Sequence, residues 1–224
     1  MNREEQFKYM TATQKLHSLV FSIATPIVFT VWKLVSGMYG THWAFDIIIA
    51  FITSAIFYNC VYKCLLFICK KSSLLKKWFL GKNYFEGLWI GYYLDNNEKI
   101  YYYEFFEQDL EELIIKGTAL NENGEHISSW TIIHPYINTN ESKFAYYYEM
   151  DIIDSPDIAM GYAKATIYWD GKNCAYKLTG YTVGSFLPRK DKFVSIKVQS
   201  LKRRSDQQLW LKESFISTVR EIEE

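Results

Sequence analysis

Two apolar runs near the N-terminus constrain this chain more than any other feature. LHSLVFSIATPIVFTVWKLVSGMYG covers Leu16 to Gly40, and WAFDIIIAFITSAIFYNCVYKCLLFIC covers Trp43 to Cys69. A buried soluble hairpin would keep a polar face, and these runs have almost none. Between Asp46 and Lys63 lie sixteen uncharged residues, roughly 24 Å of helix at 1.5 Å per residue. Snorkelling of the two flanking charges brings that close to the ~30 Å hydrocarbon core. In the first run His17 and Lys33 bracket fifteen uncharged residues, with Pro26 at a point where a helix can kink. No small-x-small cleavage pattern closes the first run, so a secretory signal fits poorly. Two membrane spans are expected, at about 16–36 and 43–69.

Charge sets the expected orientation. Arg3, Lys8 and Lys15 precede the first span, while Lys70, Lys71, Lys76, Lys77 and Lys82 follow the second. The positive-inside rule then puts both termini in the cytoplasm. The lysine-rich step also suits anionic headgroups, so membrane lipid is an expected partner. The polar residues Asp46, Asn59 and Lys63 are expensive in lipid and are candidates for satisfaction between helices. The formal net charge is zero, which gives no bulk attraction for DNA or RNA.

From Tyr84 the hydrophobic period drops to two. Eight runs follow: Tyr84–Leu94, Lys99–Gln108, Glu112–Leu120, Ser128–Ile137, Lys143–Ile153, Ile158–Trp169, Lys172–Ser185 and Lys192–Leu201. Asn-Gly and Asp-Gly turns punctuate them, and Tyr, Ile, Val and Thr enrich them. The expected fold is a two-helix transmembrane hairpin followed by a small eight-stranded antiparallel up-and-down β-barrel, with an open meander or sandwich as the alternative. The expected division is residues 1–82 for the tail, spans and linker, 83–204 for the barrel, and 205–224 for a C-terminal amphipathic helix.

Parity along KFAYYYEMDII points Phe144, Tyr146, Tyr148, Met150 and Ile152 inward. Gly161, Ala163, Ala165, Ile167 and Trp169 share the inward face of a later strand. Small residues leave room and rings line it, so a flat heterocycle can stack there. The expected binding residues are Tyr93, Tyr103, Trp130, Tyr148, Tyr176 and Thr182, with Arg189 and Lys190 near the mouth as phosphate ligands. The mouth is expected at the end carrying Asn121–Ile127, Asp154–Asp157 and Phe186–Asp191, the longer connections. No nucleophile–base order, phosphate loop or metal-ligand spacing occurs. Neither a catalytic centre, a metal nor a cofactor is expected.

Taken with FEGLWIGYY, KFAYYYEMD and YKLTGYTVG, this architecture resembles the SMODS-associated two-transmembrane, β-strand-rich effectors of cyclic-oligonucleotide antiphage (CBASS) systems. The resemblance implies a bacterial inner-membrane protein paired with a cyclic nucleotidyltransferase. It implies that a cyclic dinucleotide binds the barrel, that the protein self-assembles, and that its spans disrupt the membrane of an infected cell. A membrane-anchored lipid or fatty-acid carrier and a solid, ligand-free scaffold remain the alternatives.

Overall fold

The computed structural model describes residues 11–39, 43–95, 98–121, 123–132, 135–153, 158–171, 174–184 and 190–198, together with Phe215 and Thr218. Two compact units emerge, Met1–Leu80 with Asp109–Glu111, and Gly81–Gln108 with Glu112–Glu224.

The first unit carries α1 (Ala12–Tyr39), α2 (Trp43–Lys71) and α3 (Ser73–Leu80). A reciprocal capping box starts α1, with the Thr11 amide donating to Gln14 Oε1 at 2.9 Å and the Gln14 amide to Thr11 Oγ1 at 3.2 Å. Leu16, Val20, Cys69 and Phe79 form a small shared core. Elsewhere the long helices leave large apolar side chains uncovered, Phe21, Phe29, Phe51 and Ile56 among them. Their polar side chains largely satisfy themselves. Ser22 donates to the Ser18 carbonyl, Thr30 to Pro26, Ser54 to Ala50, and the Asn59 amide to Ala55 at 2.9 Å. Outward apolar surface and inward-turned hydrogen bonds are what lipid demands. Both helices are long and apolar enough to cross a membrane. Lys63 is exposed, and Asp46 lies in α2 with its side chain outside the described residues. The four cysteines are free.

The second unit is a closed antiparallel barrel. Its strands are β1 (Gly87–Asp95), β2 (Glu98–Gln108), β3 (Leu113–Leu120), β4 (His126–Ile132), β5 (Tyr136–Asn138), β6 (Lys143–Ile152), β7 (Ile158–Trp169), β8 (Ala175–Gly184) and β9 (Lys190–Lys197). Sequential pairing runs from β1 to β4 and from β6 to β9. Pairing of β1 with β9 and of β4 with β6 closes the ring. The run expected as one strand, Ser128–Ile137, is divided into β4 and the short β5, which also pairs with β6. Pro135, which has no amide hydrogen to give a ladder, lies between them. Eight strands therefore surround the lumen, as the turn spacing predicts.

Side chains alternate cleanly across this wall. Trp89, Phe106, Ile115, Phe144, Ala165, Ile167 and Leu178 fill one half of the lumen. Phe85 stacks on Phe144 at 5.3 Å and Trp89 on Phe106 at 5.1 Å. The entering chain is pinned over this core by Gln108, whose Oε1 accepts the Phe85 and Glu86 amides at 2.7 and 3.3 Å and whose Nε2 donates to the Asn83 carbonyl at 2.7 Å. On the outside, Leu88, Ile90 and Tyr101 are covered by Phe215. Phe215 and Thr218 are helical, while the rest of the expected helix over 205–224 lies outside the described residues.

Gln108→Leu keeps the volume and deletes three hydrogen bonds, leaving the buried Phe85 amide unpaired. We expect a loss of about 1–3 kcal/mol, read as a lower Tm of the full-length protein in detergent micelles. An unchanged Tm would show that the plug is held by apolar packing alone.

Candidate functional site

The other half of the lumen is not filled. A cavity of about 290 Å³ remains above the Trp89–Phe106 layer. Tyr93, Tyr102, Trp130, Tyr146, Tyr148 and Phe193 supply its aromatic walls, and Met150, Ile152 and Ala159 extend them. Ile152, Gly184 and Asp191 bring the lining to the residues that flank 154–157 and 185–189. The cavity thus opens at the end carrying those connections, which themselves lie outside the described residues.

Two of the walls rest on glycine. Trp130 lies across Gly117, its partner in the β3–β4 register, and Tyr148 lies across Gly161, its partner in β7. A Cβ at either glycine would occupy the space of the ring itself. The rings are therefore laid flat against the wall instead of projecting into the lumen. Tyr148 is further fixed by a 2.7 Å hydrogen bond between its hydroxyl and Thr182 Oγ1.

Glu104 stands at the base of this cup. It lies between Tyr102 and Phe106 on the inward face of β2 and is 2% exposed. Trp130 Nε1 donates to Glu104 Oε1 at 3.0 Å, and the Tyr146 hydroxyl bonds the same carboxyl. Burial disfavours its charged form and raises its pKa from 4.5 to about 7, against the opposing pull of the Trp130 and Tyr146 hydrogen bonds. Burial likewise pushes the Tyr102 and Tyr146 hydroxyls well above their ordinary value, with the Glu104 charge adding to it. An apolar cup with one titratable acceptor at its base is suited to a planar ligand that presents N–H donors.

Of the residues expected to bind ligand, Tyr93, Trp130, Tyr148 and Thr182 line the cavity together. Tyr103 does not. Its neighbours Tyr102 and Glu104 take the inward positions, and Tyr103 packs outside against Phe215, with ring centroids 5.9 Å apart at 84°. Tyr176 is absent from the lining as well. The β7–β8 register shifts there, with Tyr168 facing Lys177 and Trp169 facing Ala175, so Tyr176 is the extra residue of a bulge. Lys190 lies on the outer wall, its Nζ 5.0 Å over the Tyr181 ring, while Asp191 takes the inward position. Arg189 lies outside the described residues. Glu104 was discoverable from the sequence, because alternation that buries Tyr102 and Phe106 must bury it too.

Among the described residues no three His, Cys, Asp or Glu side chains converge as a metal site needs. Fold and cavity define a closed β-barrel with a half-open aromatic lumen, which follows in the chain two helices long and apolar enough to cross a membrane. No family model, no curated protein and no solved structure matches the chain.

The pKa of Glu104 makes stability depend on pH. Between about 4.5 and 7 the unfolded chain ionises this carboxyl while the folded one holds it neutral. Stability therefore falls as pH rises through that window, by about 3 kcal/mol in all, and stays reduced above it. Glu104→Gln removes the ionisation and keeps an acceptor for Trp130. It should raise Tm at about pH 8 and change it little at about pH 5. Equal shifts at both pH values would mean that the carboxyl is not held neutral by burial.

Proposed function

We propose that the protein is a non-enzymatic, membrane-anchored receptor whose barrel captures a cyclic dinucleotide and whose helices act on the membrane. The observation that carries this reading is the aromatic cup with a single buried carboxyl at its base, in a barrel that follows two apolar helices. Nucleobases stack on flat rings and offer N–H donors to a carboxyl. At about 290 Å³ the cup is at the small end of the roughly 300–1,000 Å³ of ligand pockets. One base fits it and a whole cyclic dinucleotide does not, so the sugar–phosphate ring stays at the mouth.

In this reading the hairpin spans a bacterial inner membrane with both termini and the barrel in the cytoplasm. A partner nucleotidyltransferase supplies the ligand on infection. Bound protein self-associates, and clustered hairpins breach the membrane. Ligand drives that step only through a higher affinity for the assembled form. Asp46, Asn59 and Lys63 are the groups that helix association would bring out of lipid. The predominantly apolar lining favours one second reading, a carrier of a small lipid, which the buried Glu104 opposes.

Calorimetry on the full-length protein in detergent should show binding of at least one cyclic dinucleotide and none of linear dinucleotide controls. Tightly held fatty acid with no cyclic dinucleotide bound would favour the carrier instead. Reporter fusions at Gly40 and after Glu224 should fall on opposite sides of the membrane, and a same-side result would remove the hairpin. Cells should lose membrane potential only when full-length protein and ligand are made together. Toxicity without any cyclic nucleotide would break the proposed coupling.

A further inference from the structure

We infer that Glu104 is a specificity residue that selects guanine, accepting the ring N–H and the adjacent amino N–H of the base at the bottom of the cup. The inference rests on the cyclic-dinucleotide reading and adds which base enters first.

Position supports it. The β2 register places Glu104 opposite Trp89 and Gly117, above the packed Trp89–Phe106 layer, so a base that enters the cup edge-first ends against its carboxyl. Trp130 and Tyr146 already hold that carboxyl from the side, which fixes its plane and leaves further acceptor positions for a ligand. Trp130 and Tyr148, each lying against its glycine, leave room in the lumen for a flat ligand.

Hydrogen-bond arithmetic then separates the bases. An ionised carboxylate has only acceptors, and two of them accept a side-by-side donor pair in one plane. Guanine presents such a pair on its Watson–Crick edge. Adenine and cytosine present a donor beside an acceptor, and uracil a donor between two acceptors. Each of those would set a ligand acceptor against a carboxylate oxygen. A buried polar group that loses its match discriminates strongly, because nothing else solvates it.

Ionisation gives the inference a second signature. The other titratable groups of the cavity are Tyr93 on β1, Tyr102 on β2, Tyr146 and Tyr148 on β6, and Asp191 on β9. The tyrosines with resolved shifts, Tyr102, Tyr146 and Tyr148, all move upward, away from neutrality. Glu104, lifted to about 7 by burial, must give up its proton to accept both bonds. Guanine affinity should therefore rise as pH increases through 7 and fall below it.

The test is calorimetry on full-length protein in detergent with 3′,3′-cyclic di-GMP, cyclic di-AMP and cyclic di-UMP, at about pH 6 and about pH 8. The guanine ligand should bind about tenfold tighter or better than the other two, with a larger margin at the higher pH. Glu104→Gln, checked for folding by its Tm, should erase both the margin and its pH dependence, and should tighten cyclic di-AMP because an amide sets a donor beside an acceptor as adenine does. A guanine ligand bound no tighter than the adenine one, or a margin that survives in Glu104→Gln, overturns the inference and leaves the receptor reading standing. No binding by any of the three overturns both.

Discussion

A closed ring of eight strands has a lumen of fixed width, and every second side chain must share it. This chain meets the constraint by pairing bulk with absence across one seam. Along the β6–β7 register, Phe144 faces Ala165, Tyr146 faces Ala163, Tyr148 faces Gly161 and Met150 faces Ala159. Four large residues on β6 thus project over four small ones on β7, and the two strands together contribute about one layer of side-chain volume. At the Phe144 end, the rings of Phe85, Trp89 and Phe106 use up the remaining space. At the Met150 end Tyr93 from β1 and Phe193 from β9 line the wall without filling the lumen, and Gly184 of β8 adds no side chain. The packed half and the open half are consequences of one ladder.

Much of this was legible in the sequence wherever the period was unbroken. The inward sets of β6 and β7 follow from alternation alone, because both are long strands without a bulge. The aromatic character of Tyr93, Trp130 and Tyr148 and the small residues opposite them are readable in the same way. Tyr103 shows how narrow the margin is, since one step of parity moves a tyrosine from the cup to the outer wall. In a run as uniform as YYYEFFE, hydrophobicity does not mark the face, and the burial of Glu104 is an inference few would draw from a charged residue. Tyr176 was misplaced for a different reason. A bulge adds one residue to a strand, and no local composition near Ala175 and Lys177 announces it. Lys190 lies outside the lining because the strand begins there and alternation puts Lys190 and Asp191 on opposite faces.

The buried carboxyl is a place where the barrel departs from its most stable solution. Glu104 sits among rings and could be replaced by an apolar residue without an obvious packing penalty. Its neighbours instead hold it: Trp130 donates to it, and Trp130 is itself seated by Gly117. Three strands, β2, β3 and β4, therefore cooperate to present one acceptor. Such an arrangement lowers stability near neutral pH and positions a group whose charge is one proton from switching. As core packing that combination is costly.

On the proposed reading, the charges of the cup also fix the direction from which a nucleotide would approach. Glu104 at the base and Asp191 nearer the mouth are both carboxyls, and no described lining residue is cationic. A phosphate drawn into that space would lose its hydration and meet two carboxyls and no described cation. A base meets neither obstacle, since it is neutral, flat and rich in donors. On that reading the cup would exclude the anionic part of a nucleotide and admit its base. Such a site would read identity at the bottom, by hydrogen bonding, and would leave the phosphates in solvent at the rim. Rim cations would then add affinity but no base discrimination, because a phosphodiester is the same for every base. On that reading discrimination and attraction fall at opposite ends of the same cavity, and the inner end is built from side chains whose positions the barrel wall dictates.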